Sequence, residues 1–333
     1  MPAGLQDLPL LDEARLRALM PMTAAVVALE AALHDGTAPG GVPARTSVLT
    51  TNGQLLLMPA ATSRFVGVKL VSVAPDNPEL GLPRVQGVYV LLDAITLTPL
   101  AIVDGVALTS LRTPATSAVA ARHLAPRRPL RVLVVGTGPQ GYGHVEGLQA
   151  VRPIAHVTVA GRDRSRAGRM AQWCNERGVA ADVVAGADII DGLEAPARAA
   201  DVVVCATTSR RPLIQGAWLK DDALAIAVGS HEPNAREVDS AVVLRSTVIV
   251  ETRDSALREA GDIMIPIRRG ECTPDVIAAD LGELVRGEVD RAPDAPAFFK
   301  STGEAWEDLV VASAAYDRIQ AAHTPPFGVR SGW

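Results

Sequence analysis

The chain has 333 residues, 48% of them hydrophobic and 21% charged, with a net charge of −5. That length allows two ordinary domains or one large one around a substantial core, and the composition excludes a disordered, collagenous or linker-like chain. Aromatic residues are only 3%, and the net charge is negative. Base-stacking and polyanion-binding surfaces are therefore excluded, and no nucleic-acid partner is expected.

From Asp12 to His34 apolar residues recur at helical spacing (Leu16, Leu19, Val26, Val27, Ala31), with a break at Pro21. This predicts two consecutive helices. Gly36, Pro39, Gly40, Gly41 and Pro43 then read as a loop. Between Thr46 and Leu108 the pattern predicts strands at 55–58, 65–73, 87–93 and 99–105, separated by turn residues such as Pro75, Asp76, Asn77, Pro78 and Gly81. This first region is an antiparallel α+β domain. A helix is expected from Thr113-Pro114 to Leu124, with Thr113 as N-cap and the proline in its first turn.

Pro126, Arg127, Arg128 and Pro129 read as a domain boundary. After them, RVLVVGTGPQGYGHVEGLQAV spells a buried strand, a glycine turn and a helix, and HVTVAGRDRSRAGRMAQWC a second strand and helix. Further apolar strands fall at 202–206, 223–229 and 248–251. Strands alternating with helices imply a parallel sheet with right-handed crossovers. Ser301 and Glu304 have the spacing of a capping box before a last helix bearing Trp306, Leu309, Val310, Ser313 and Tyr316. That helix is long enough to return to the first domain.

Gly136, Gly138 and Gly141 complete a GxGxxG, with Pro139 and Gln140 inside it, directly after one predicted strand and at the head of a helix. In that context the glycines let the backbone approach a pyrophosphate, and the helix N-terminus offers unpaired N–H groups. A glycine-rich turn of some other α/β protein is the alternative; a dinucleotide is the working reading. Cofactor choice is set at the end of the second strand, where an acidic residue holds the ribose of NAD and an arginine accommodates the NADP phosphate. Here Arg162 takes the deciding place, with Arg164 and Arg166 nearby, so NADP(H) is expected over NAD(H). If those arginines are only solvated helix-start residues, Asp163 is open to a ribose.

Cys174, Cys205 and Cys272 are odd in number and lack a CxxC pair. Neither a disulfide framework nor a thiolate zinc site is indicated, and a reducing, cytoplasmic setting is expected. Asp7, Asp12 and Glu13 stand where a signal peptide needs a basic start and an apolar run. No apolar stretch reaches the length of a membrane span, so no membrane partner is expected. The six histidines show no metal-ligand spacing, and no metal is expected.

GVPARTSV, LLLMPA, VGVKLVSVAPDNPELGLPRVQGVYVLLD, PLAIVDGVALTSLRTPATSAVAARHLA, VLVVGTGPQGYGH, EAGDI and FFKSTGEAWEDL together resemble the ornithine cyclodeaminase/mu-crystallin family, from about Asp12 to about Tyr316. The resemblance implies an α/β chain in which a Rossmann dinucleotide-binding domain, a doubly wound parallel sheet at 126–304, is inserted into an α+β substrate-binding and dimerisation domain at 1–125 plus 305–333. It also implies a homodimer and an NAD(P)-dependent oxidoreductase acting on the C–N bond of amino or imino acids. Three basic residues of the family that grip the substrate carboxylate match Arg45, Lys69 and Arg112. Fixing a carboxylate so that C2 meets the nicotinamide is work suited to such cations. Apart from the resemblance, Arg45 and Arg112 read as surface charges; Lys69, inside VGVKLVSV, does not, because a strand interior rarely holds a lysine without a partner. Arg112 stands just before the expected helix start at Thr113, whose dipole favours an anion.

The chain departs from the cyclodeaminase pattern at three places. His231 stands where that pattern has an aspartate, Ala235 where it has a lysine, and Leu56 where it has an acid. With two carboxylates missing, a substrate's terminal ammonium has no evident partner. The departures match the ketimine-reductase and mu-crystallin branch, which implies hydride transfer to C2 of 1-pyrroline-2-carboxylate or 1-piperideine-2-carboxylate. His231, with a reference pKa of about 6.5, is the candidate for protonating the imine nitrogen, or else a cofactor contact; Glu232 is a weaker substitute. The resemblance adds Thr113, Thr207, Gly229, Ser301 and Gly303 as cofactor contacts, although Thr113 and Ser301 also read as plain caps and Cys205 as a buried strand end. Glu259, Gly261 and Asp262 read as structural. Ornithine cyclodeaminase, an alanine-type amino-acid dehydrogenase and an NADPH-loaded mu-crystallin-like binding protein stay open as alternatives.

Overall fold

The structure is a computed structural model that describes residues 4–36 and 43–323; the loop residues Pro39, Gly40 and Gly41 lie outside them. The chain forms two compact units. Of the described residues, one unit holds those up to Ala28, those from 43 to Arg112, and those from Ala305 to His323; the other holds Leu29–Gly36 and Thr113–Glu304.

The first unit begins with β1 (Leu10–Leu11) and α1 (Glu13–Leu19), whose N-cap Asp12 accepts the Arg15 N–H at 2.8 Å. The next helix, α2 (Met22–His34), starts just after Pro21, where the proline ends the first run as expected. Then follow β2 (Thr46–Thr50), β3 (Gly53–Ala61), β4 (Phe65–Val73), β5 (Val85–Asp93) and β6 (Pro99–Asp104). They make a six-stranded sheet in the order β1-β6-β5-β4-β3-β2, antiparallel except for the β1–β6 pair. β1 and β2 escape the sequence pattern because β1 has two residues and β2 is exposed along its whole length.

Alternation sorts the side chains onto two faces. On the covered face, register aligns Met58, Lys69, Tyr89 and Val103 in one row and Ala60, Gly67, Leu91 and Ala101 in the next. Gly67 has no Cβ because Tyr89 lies over it: a Cβ there would stand 2.0 Å from the phenol oxygen. The opposite face carries apolar rows such as Leu57, Leu70 and Val88 that stay partly exposed.

The helix expected to start at Thr113 is instead the second half of α3 (Gly105–Leu124). Asp104 caps it, accepting the N–H groups of Val106 and Ala107 at 2.8 and 2.9 Å. Thr113 is therefore not an N-cap, and Arg112 does not sit at a helix N-terminus. An interior proline costs about 3 kcal/mol. The helix nevertheless continues through Pro114 because it fully buries Leu108, Leu111 and Val119, each contributing about 1.5–3 kcal/mol.

The second unit alternates strands and helices: β7 (Leu130–Val135), α4 (Pro139–Val151), β8 (Ile154–Gly161), α5 (Arg164–Glu176), β9 (Ala181–Ala185), α6 (Glu194–Ala199), β10 (Val202–Cys205), β11 (Leu224–Ala227), α7 (Ser240–Arg245), β12 (Thr247–Val250), α8 (Arg253–Glu259), α9 (Gly261–Arg268), β13 (Ile277–Asp280), α10 (Leu281–Val285) and β14 (Ala297–Lys300). The eight strands are all parallel, in the order β13-β12-β14-β11-β10-β7-β8-β9. Helices cover both faces of such a sheet, which is why its strands read as unbroken apolar runs. The order reverses at β7, which lies between β8 and β10, so the switch point falls at the glycine turn.

The chain then returns to the first unit as α11 (Ala305–His323), which packs on β3, β4, β5 and β6. The expected capping box is absent. Ser301 lies four residues ahead of this helix, its N–H bonded to the Ala227 carbonyl at 3.1 Å, and Glu304 accepts from the Thr252 hydroxyl at 3.0 Å. Among the described residues no single helix is long and apolar enough to cross a membrane.

Candidate functional site

In the second unit the turn after β7 is built by its glycines. Gly136 has φ +123°, and a Cβ on it would lie 2.3 Å from the Ala206 carbonyl oxygen; one on Gly141 would lie 2.3 Å from the Gly136 carbonyl oxygen. Gly138 is different: nothing lies within 4 Å of the place a Cβ would take. It is the N-cap of α4 without any capping side chain, and Pro139 follows at the first turn. The head of α4 therefore opens onto free space at Gly138, as the close approach of a pyrophosphate to a helix N-terminus requires. A cavity of about 350 Å³ adjoins it, lined by the Gly136–Gly138 turn, by Gly161, Arg162 and Arg166 at the end of β8, and by Ala206, Thr207 and Ser209 after β10. These residues fit a dinucleotide.

At the end of β8, Asp163 is the N-cap of α5. Its carboxylate accepts the N–H groups of Ser165 and Arg166 at 2.8 and 3.1 Å, and those bonds hold its pKa below the usual carboxylate range. Arg162 and Arg166 line the cavity, while Arg164 turns to the Ala185 carbonyl at 3.2 Å. The Asp163 carboxylate is thus taken up by α5, while Arg162 and Arg166 line the cavity.

Beyond β10 and β11 two of the other expected cofactor contacts, Thr207 and Gly229, meet at one buried acid. Glu237 accepts the Thr207 N–H and hydroxyl, both at 2.7 Å, and the Gly229 N–H at 2.7 Å. The Thr207 hydroxyl is thus committed to the protein. Gly303 has φ +83°, and its N–H and that of Thr302 donate to Glu251 at 2.8 and 2.9 Å. Ser301 is buried, Thr113 is buried within α3, and His231 is exposed on the loop after β11. Glu232 is ion-paired with Arg210 at 2.6 Å. His144 of α4 is buried; it donates through Nδ1 to the Gln140 carbonyl, and Nε2 accepts from the Ser117 hydroxyl at 2.9 Å. Burial lowers its pKa to about 4, so the ring is neutral.

In the first unit, Lys69 and Arg112 come together over α11. The Lys69 ammonium donates to Asp308 at 2.7 Å and to the Thr109 hydroxyl at 3.1 Å. Arg112 donates to Asp308 at 3.2 Å and to Glu307 at 2.5 Å. Lys69 is 2% exposed, and Glu307 and Asp308 are fully buried. Two cations and two carboxylates thus cancel within the core, as buried charges must. Burial, reinforced by the Arg112 charge and opposed by Asp308, lowers the Lys69 pKa to about 8. Arg45 is half-buried immediately before β2. It lies one residue beyond the Thr46–Leu57 pair, which sets it opposite Met58, whose own partner on β4 is Lys69.

Glu307 and Asp308 are site residues that the sequence reading missed. Their signal is two adjacent acids in the apolar run AWEDLVVASAAY, but acids in a first helical turn are ordinarily read as partners of the helix dipole.

A model of the ornithine cyclodeaminase/mu-crystallin family matches residues 10–323. The chain is 36% identical over 284 residues to a delta(1)-pyrroline-2-carboxylate reductase of Bacillus cereus, spanning 83% of this chain and 85% of that one. Its fold is similar to that of Thermococcus litoralis delta(1)-pyrroline-2-carboxylate reductase in complex with NADH and L-proline, with a TM-score of 0.87 and 30% identity over 95% of this chain and 99% of the other. An archaeal alanine dehydrogenase dimer with bound NAD is similar with a TM-score of 0.86 and 28% identity, over 95% and 97% of the two chains.

Proposed function

The chain belongs to the ornithine cyclodeaminase/mu-crystallin family, and on that premise we propose that it is a nicotinamide-dependent reductase of small cyclic imino acids, such as 1-pyrroline-2-carboxylate or 1-piperideine-2-carboxylate. The observation that carries the reading is the buried Lys69–Arg112 pair, fixed by Asp308 and Glu307. Two cations at set positions suit one carboxylate, and with Leu56 and His231 standing where the cyclodeaminase pattern has acids, a substrate's terminal ammonium has no evident partner.

Lys69, Arg112 and Arg45 hold the substrate carboxylate. Lys69 uses two of its three N–H donors on Asp308 and Thr109, and the third is for the ligand. The bound nicotinamide supplies the hydride that adds to C2. A protonated imine is the better acceptor, and His231 supplies that proton. Replacing His231 by Asn removes the loss of rate on the alkaline side of the pH–rate profile that a proton donor imposes; an unchanged profile removes His231 from the mechanism.

The cofactor is NADP(H) in preference to NAD(H). Support comes from Arg162 and Arg166 beside the cavity, and from the engagement of Asp163 with α5. The protein is a homodimer formed through the uncovered face of the six-stranded sheet, where Val48 and Val88 are 49% and 42% exposed. A contiguous apolar patch of that kind marks an interface.

The test is incubation with NADPH and 1-pyrroline-2-carboxylate, and in parallel with NAD and L-ornithine or L-alanine, following absorbance and ammonia. Oxidation of NADPH with the cyclic imine is expected. Ammonia from ornithine with catalytic NAD, or NAD reduction by alanine without imine turnover, overturns the reading. The second outcome is the one to which the likeness to alanine dehydrogenase points.

A further inference from the structure

The carboxyl ends of β10, β11 and β14 are tied together by three charged side chains, Glu237, Asp262 and Lys300, all of which have at most 1% exposure. Glu237 receives the Thr207 N–H, the Thr207 hydroxyl and the Gly229 N–H, so both of its oxygens are used by the loops after β10 and β11. Its own N–H and that of Val238 donate to Asp262 at 2.7 and 3.0 Å. The Lys300 ammonium at the end of β14 lies 3.0 Å from the second Asp262 oxygen and donates to the Ser230 carbonyl at 2.6 Å.

Every hydrogen-bond partner of the Glu237 side chain is a donor, an arrangement that suits the carboxylate and not the acid. Burial raises its pKa, and the Lys300 charge opposes that rise. The fit between the two loops is tight, since a Cβ on Gly229 would stand 2.0 Å from the Thr207 carbonyl oxygen and 2.5 Å from Glu237. Dinucleotides bind across the switch point of such sheets. With the pyrophosphate at the turn after β7 and the adenosine ribose at β8, the nicotinamide half falls on the β10 and β11 side.

We propose that Glu237 is a positioning residue for the nicotinamide half of the cofactor: its buried carboxylate, anchored through Asp262 and Lys300, sets the spacing of the Thr207 and Gly229 loops without touching the ligand. This rests on the dinucleotide reading above and says which residue, invisible from the cavity, decides that half of the site. An amide in place of the carboxylate keeps the shape but turns one donor toward an N–H group. The loops then separate where the nicotinamide lies, and the adenosine half at β8 is unaffected.

The experiment compares the wild type with Glu237→Gln for binding of NADPH and of 2′-phospho-ADP-ribose, which lacks the nicotinamide. The variant is expected to weaken NADPH at least tenfold and 2′-phospho-ADP-ribose less than twofold. Equal weakening of both ligands, or none, overturns the proposal, because a general loss of structure does not distinguish the two halves. Hydrogen exchange in the wild-type protein without cofactor supplies a second arm that does not depend on how the variant folds. The Thr207 and Gly229 amides, bonded to a buried carboxylate, exchange slowly if the proposal holds, and fast exchange overturns it. Should the wild type bind neither NADPH nor NADH, the dinucleotide reading fails and this one with it; wild-type binding with equal losses in the variant sinks only the role of Glu237.

Discussion

Lys69 shows how one residue joins sequence to site. It was legible as unusual because a lysine in the middle of VGVKLVSV must be buried by strand alternation, and a buried ammonium needs partners. With its pKa lowered to about 8, the ammonium is charged below that pH and neutral above it. Since kcat/KM reports the free enzyme, its value for an anionic imino acid is expected to fall as pH rises through about 8. Lys69→Arg, charged throughout, should abolish that limb; a limb that persists in the variant belongs to another group. Asp308→Asn leaves two buried cations short of a carboxylate, and breaking such a buried pair destabilises by about 3–5 kcal/mol, measurable by urea denaturation. At the cofactor, Arg162→Ala is expected to raise KM for NADPH about tenfold while changing that for NADH less than twofold. A uniform change would show that Arg162 does not read the 2′-phosphate.

At the scale of the element, the strand, turn and first helical turn around Gly136 were readable together, because each glycine answers a steric demand the motif encodes. The three glycines are not equivalent, however. Gly138→Ala, with open space around the new methyl, should fold and melt as the wild type does while losing cofactor affinity. Gly141→Ala, facing a backbone oxygen at 2.3 Å, should lower the melting temperature of the apoprotein itself. His144 locks the same helix and carries a pH signature. Its pKa falls from 6.5 unfolded to about 4 folded, so the unfolded chain takes up a proton first as pH drops. Its stabilising contribution is complete above about pH 6.5 and is lost progressively toward pH 4, by up to about 3 kcal/mol. In His144→Gln the drop in melting temperature between pH 7 and 4.5 should be smaller than in the wild type. The start of α3 was misread for the opposite reason: Thr113-Pro114 carries the local signature of a helix start, and only the burial of the turns before it shows that Asp104 begins the helix.

For the whole molecule, the uncovered apolar face of the first sheet is the feature a single chain leaves unexplained. Val88→Glu places a charge in the row it forms with Leu57 and Leu70. If the proposed dimer forms through this face, sedimentation should report a dimer for the wild type and a monomer for the variant, with far-UV circular dichroism unchanged. A wild-type monomer would refute the interface.

The sequence by itself determined the two kinds of sheet and the glycine turn, and it marked Lys69 as a lysine in need of a partner, since each rests on local periodicity or on a motif whose residues lie within a few positions of one another. It did not determine that α3 runs unbroken from Gly105, that Ser301 follows directly on a strand rather than capping a helix, or that β14 inserts between β11 and β12. Nor did it reveal Asp308 beneath Lys69, or Glu237 between Thr207 and Gly229. Those partners are separated by 239 and 30 positions along the chain in their bonds to Lys69 and Thr207. Which buried carboxylate meets which buried cation or amide is decided by sheet order and helix packing, and no local pattern records either.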